Sequence, residues 1–114
     1  MATFDARIHP LAFAHMESGE KTVYVVPATA EYSMVTAGDR LEDEAIGSIT
    51  VGIARRYPDL VKLMAAEGFA NVIPEANDDE DAITLLRRAP GWSEMAVERE
   101  GVFALRVRSA KRKS

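Results

Sequence analysis

The chain has 114 residues, room for one domain with a modest core. It holds no cysteine, which excludes disulfides and thiolate metal sites, and its two histidines, His9 and His15, are wrongly spaced to share a helical face as metal ligands. The net charge of −4 is uneven: Arg106, Arg108, Lys111, Arg112 and Lys113 crowd a C-terminal stretch that contains no acid.

In chain order, Ala2 to Ile8 alternates weakly, with Phe4, Ala6 and Ile8 against Thr3, Asp5 and Arg7, and reads as a first strand. Pro10 suits a helix's first turn, Leu11, Phe13, Ala14 and Met16 supply its apolar positions, and Gly19 is placed to stop it. Lys21 to Val26 is rich in β-formers and is closed by Pro27. Ala28 to Val35 is expected to form a short helical turn, and Gly38-Asp39 a turn before Arg40 and Leu41. Ile46 to Tyr57 carries Ile49, Val51 and Ile53 in alternation, a second clear strand.

Pro58 and Asp59 open a helix in which Leu60, Leu63 and Met64 share a face, ending at Gly68. Asn77, Asp78 and Asp79 offer N-caps for a further helix through Arg88. The acidic run there lacks the glycine and distal glutamate of a calcium loop, so capping explains it better. Ala89-Pro90-Gly91 breaks the helix, and Gly101 to Val107 alternates as a closing strand. The expected organisation is one α+β domain over residues 1–107 and a basic, solvated tail over 108–114. No segment reaches the length of a membrane span, and Met1 to His9 has no apolar run of the kind a signal peptide needs. A cytoplasmic protein without membrane partners is expected.

The block Gly19-Glu20-Lys21-Thr22-Val23, directly after a short helix, resembles the Gly-x-Lys-Thr signature of the ASCH family. Gly38-Asp39 before a strand, Ile49 to Tyr57, the helix from Leu60 to Gly68 and the Gly101-Val102-Phe103-Ala104-Leu105 ending follow in the family's order, so the resemblance runs from Phe4 to Val107. It implies a PUA-like fold, a β-barrel-like mixed sheet with flanking helices, and RNA as ligand in a cleft between barrel and helices. Small bacterial members that resemble this chain in size are amidohydrolases of N4-acetylcytidine. These use the motif lysine, a threonine three residues on, and a glutamate in the helix after the central strand.

Carried over, the lysine is Lys21 and the glutamate Glu67; the threonine position holds Tyr24, and Val26 stands where an arginine often follows. A phenol is a poorer acyl-transfer nucleophile than an alkyl hydroxyl. The neighbouring Thr22 has the opposite strand parity to Lys21. The family's triad is therefore incomplete here.

Each of these residue types has a definite chemistry. A desolvated Lys21 can act as a base, and a charged one can hold a phosphate or polarise a carbonyl. Glu67 can exchange a proton or accept from an exocyclic amine. Tyr24 and Trp92 can stack on bases. Arg55-Arg56 and Arg87-Arg88 can reach phosphates, though adjacent strand residues point to opposite faces. The expected catalytic set is Lys21, Glu67 and Tyr24, with Thr22, Arg55 and Trp92 as substrate contacts and neither metal nor cofactor. The expected partner is RNA or a modified pyrimidine nucleoside. The resemblance also allows ribonuclease-like cleavage, with Lys21 stabilising the phosphorane and Tyr24 positioning the strand. The alternatives are N4-acylcytidine hydrolysis and a non-catalytic regulatory interaction domain.

Overall fold

In the computed structural model, which describes residues 1–114, five strands form one curled sheet in the order β1-β3-β4-β5-β2. Along the chain these are β1 (Thr3–Asp5), α1 (Pro10–Ser18), β2 (Val23–Pro27), β3 (Arg40–Asp43) and β4 (Gly47–Tyr57). Then come α2 (Leu60–Glu67), α3 (Phe69–Val72), α4 (Asp79–Arg87), α5 (Glu94–Glu100) and β5 (Val102–Arg112). β1 runs parallel to β3 and every other pairing is antiparallel. The fold is α+β, a five-strand half-barrel with helices on both sides.

Local chemistry sets the helix ends. His9 accepts the Leu11 amide at 3.1 Å to start α1, and Gly19, at φ 86°, takes the left-handed conformation that ends it. Asp59, Asp78 and Ser93 cap α2, α4 and α5 by accepting from Lys62, Asp81 and Ala96. Helix α5 had no expectation in the sequence, because Glu94 to Glu100 carries almost no apolar period. Only its Ser93 cap was there to read.

The sheet separates two apolar clusters. Val23, Val25, Val102 and Ala104 meet Leu63, Met64, Val72, Leu86 and Val97 from the helices of the chain's second half. On the other face Val26, Leu41, Ile49, Val51 and Leu105 enclose Ile8 and the α1 residues Phe13 and Met16. Alternation along β2 and β5 sends successive side chains to opposite clusters. Truncating fully buried Phe13 to Ala is worth about 3–5 kcal/mol.

One expectation is overturned. The strand read as ending at Val107 continues to Arg112, so residues 108–112 are sheet and not a solvated tail. Gly47 pairs with Arg112, Ser48 with Lys111, Ile49 with Ala110 and Thr50 with Ser109. Arg112 also donates from Nε to the Glu17 carboxylate at 3.1 Å and lies 5.1 Å from the Phe13 ring. Any side chain at Gly47, where φ is 152°, would collide with the Lys111 carbonyl, so this glycine admits the strand. The alternation that marks a strand fails here, since Arg108, Ser109, Lys111 and Arg112 all lie exposed. The first strand is also shorter than expected, three residues instead of seven. No helix is long and apolar enough to cross a membrane.

Candidate functional site

The half-barrel leaves an opening between its two edges, and two tyrosines lace it. Tyr24 on β2 donates its hydroxyl to the Arg7 carbonyl at 3.4 Å, and Tyr32 donates to the Asp5 carbonyl at 3.1 Å. Beside this seam lies a cleft of about 620 Å³. One wall is the β2 edge from Lys21 to Thr29, a second is Asp5 to His9, and a third is the α3–α4 connection with the end of α4 and the loop to Trp92.

Lys21 is held from two sides. Its amide donates to the His15 carbonyl at 3.0 Å and the next amide, Thr22, donates to Asn71 at 3.0 Å. The side chain is 3% exposed, and its ammonium donates to the Val72 carbonyl. The Tyr24 ring centre is 5.8 Å from Nζ. Burial lowers the Lys21 pKa to about 8, and the Glu75 carboxylate opposes that shift.

Glu75 is the carboxylate that sequence reading missed. It sits in the connection between α3 and α4, lines the cleft, and places Oε1 3.4 Å from His15 Nδ1. No periodicity marks that connection, so only the folded chain brings Glu75 to Lys21. Tyr32 and Arg88 join the cleft in the same way.

The residues singled out in the sequence do not all gather here. Lys21, Tyr24 and Trp92 line the cleft. Glu67 does not: its carboxylate, 5% exposed, accepts the Tyr57 hydroxyl, and Arg55 Nη1 stands 4.0 Å away. The expected pairing of Glu67 with Lys21 is therefore not formed, because the last turn of α2 sets Glu67 against Tyr57 and Arg55 of β4; the carboxylate that shares the cleft with Lys21 and acts on its charge is Glu75. Arg55 shares the Glu67 cluster, and Thr22 is exposed beside the buried Lys21. The paired arginines divide their work: Arg56 binds Glu100 at 2.8 Å and Arg87 binds Glu94 at 3.0 Å, while Arg88 faces the cleft.

Tyr24 is unsuited to nucleophilic attack. Its hydroxyl is committed to Arg7, and burial, with Tyr32 and Asp43 adding to it, pushes the phenol pKa well up. Trp92 Nε1 donates to Glu94 at 2.8 Å, which fixes the indole where it meets both the helical core and the cleft. The Thr29 hydroxyl on the cleft wall is buried without a hydrogen-bond partner.

No protein-family model and no curated protein sequence matches the chain. The fold recurs in solved structures, two of which follow. The crystal structure of hypothetical protein PH0355 superposes with a TM-score of 0.84 at 18% identity, covering 97% of this chain and 100% of that one. The solution structure of protein PF0455 from Pyrococcus furiosus gives 0.75 at 18% identity, covering 95% and 96%. At this identity the likeness establishes architecture alone.

Proposed function

We propose that the cleft binds a nucleoside, free or as an unstacked base of an RNA strand, and that the chain is an ASCH-type, PUA-like domain. The observation that carries this reading is the cleft wall: Tyr24, Tyr32 and Trp92 supply aromatic surface around a buried lysine. The charges there balance, with Arg7, Lys21 and Arg88 against Asp5, Glu31 and Glu75. A flat, polar, uncharged ligand suits such a wall better than a phosphate chain does. The Gly19 to Val23 block, which carries the ASCH resemblance, delivers Lys21 to this cleft. A cytoplasmic setting goes with the same reading.

Titration with the four ribonucleosides, followed by the fluorescence of the single tryptophan, tests it. Saturable binding with little salt dependence is expected, because no counterions are displaced from a neutral ligand. Calorimetry on Trp92→Ala should give affinity about 5- to 150-fold weaker, the loss of roughly 1–3 kcal/mol of stacking. No binding of any nucleoside up to its solubility would sink the proposal. Steep salt dependence with a short RNA would move the ligand from nucleoside to strand.

A second reading, hydrolysis of an N4-acylcytidine, draws support from the lowered pKa of Lys21 beside Glu75. With Tyr24 committed, water would attack the acyl carbon and neutral Lys21 would take its proton. The tetrahedral adduct would then expel the cytidine amine, which takes that proton back. Release of cytidine from N4-acetylcytidine, abolished in Lys21→Ala, is the outcome this reading requires.

A further inference from the structure

β2 lies at one end of the sheet and pairs with β5 alone. In an antiparallel ladder, residues alternate between bonding across the pair and turning N–H and C=O to the open side. Two bonds set the phase here. Val107 donates to the Thr22 carbonyl at 2.9 Å, and Ala28 donates to the Gly101 carbonyl at 3.0 Å. Thr22, Tyr24, Val26 and Ala28 therefore face β5, and Val23, Val25 and Pro27 turn their backbones outward. Proline has no N–H, and the Pro27 carbonyl already accepts from Thr29 at 2.8 Å. Val23 does not line the cleft, so on the cleft wall Val25 alone has one donor and one acceptor uncommitted, side by side, in a residue only 6% exposed. Buried backbone groups without partners are rare in folded proteins, and those on a concave wall are ready ligand contacts.

We propose that the Val25 N–H and C=O read the ligand, taking a nucleobase edge that sets a donor beside an acceptor through two parallel hydrogen bonds. Uridine offers N3–H to the carbonyl and O4 to the amide; cytidine offers its N4 amine and N3 in the same sense. This rests on the nucleoside reading above and names the groups that would read the base. An extended peptide added to the edge would need a repeating series of donors and acceptors. Val23 turns outward too but lies outside the cleft, and Pro27 and Thr29 close the edge beyond Val25, so one pair faces the cleft and suits a small planar ligand. Trp92 and Tyr32 stand on the same cleft to cover its faces.

The test uses the full chain, ¹⁵N-labelled, titrated with uridine, cytidine, 3-methyluridine and N4,N4-dimethylcytidine. The Val25 amide resonance should shift on binding uridine or cytidine. The methylated analogues, each lacking the donor, should bind at least about tenfold more weakly. An amide-to-ester replacement at Val25 removes the N–H and weakens the Tyr24 carbonyl as an acceptor toward β5; it should weaken uridine by a similar factor while the chain stays folded with a modestly lowered melting temperature. If nucleosides bind and perturb Trp92 while the Val25 amide stays still and the ester binds normally, the backbone reading is wrong and the cleft reading stands. If no nucleoside perturbs any cleft residue, both fall.

Discussion

The ammonium of Lys21 donates to the backbone carbonyl of Val72, 51 positions along the chain, and that bond joins the start of β2 to the end of α3. It holds a charged group in a nearly water-free place, and the energetic consequence is directional. Burial has lowered the folded-state pKa from 10.5 to about 8. The unfolded chain therefore binds the extra proton between these values, and stability rises with pH across that window. Below about pH 8 the full cost of charging the buried amine is present. Lys21→Met should accordingly gain stability relative to wild type at pH 7, and the difference should shrink by about 3 kcal/mol as pH approaches 10.5. Urea unfolding at a series of pH values measures this, and a pH-independent difference would contradict it.

Glu75 and Glu67 are expected to behave differently under the same substitution. Glu75→Gln removes the charge that opposes the Lys21 shift, so the lysine should titrate lower still. Glu67→Gln should leave Lys21 alone and instead lower the Tyr57 pKa, which its hydrogen bond to Glu67 now holds up. Ammonium NMR for the first and ultraviolet titration for the second separate the two carboxylates.

Two aspartates anchor the chain's first residues. Asp39 accepts from Ala2 and Thr36, each at 2.9 Å, and Asp43 accepts from Ile8 and Ala45, each at 2.9 Å. These bonds hold both carboxyls below their ordinary pKa. Their contribution is thus complete above the unfolded value near pH 4 and is lost as pH falls through the folded values. The melting temperature should drop steeply below about pH 4 in wild type and more gently in the double variant Asp39→Asn, Asp43→Asn.

Ending the chain at Val107 should be costly. It removes four ladder pairs from β4 and the Arg112 contacts to Glu17 and Phe13. A loss on the order of 2–4 kcal/mol is expected, a large share of a small domain's stability. Lys111→Ala, which changes only an exposed side chain, should shift stability by less than about 0.5 kcal/mol. Equal thermal stability of the truncated and full chains would show that the pairing contributes nothing.

The elements whose signal is local can be read from the chain alone. Val23 to Val26 and Ile49 to Ile53 show strand composition or alternation, Asp59 and Asp78 announce helix starts, and Gly19 and Gly68 announce stops. These are carried by side-chain chemistry within a few residues. Lys21 was also legible, because its motif is contiguous. Strand pairing and packing settle the rest. The polar end of β5 becomes a strand only because β4 supplies its bonds, and backbone pairing leaves no apolar period to read. Glu75 shares the cleft with Lys21, and Glu67 does not, because helix direction and packing settle which of two carboxylates comes near the β2 edge. Which of Val25's backbone groups stay free depends on the pairing register, a relation between residues about 80 positions apart that no single stretch of sequence encodes.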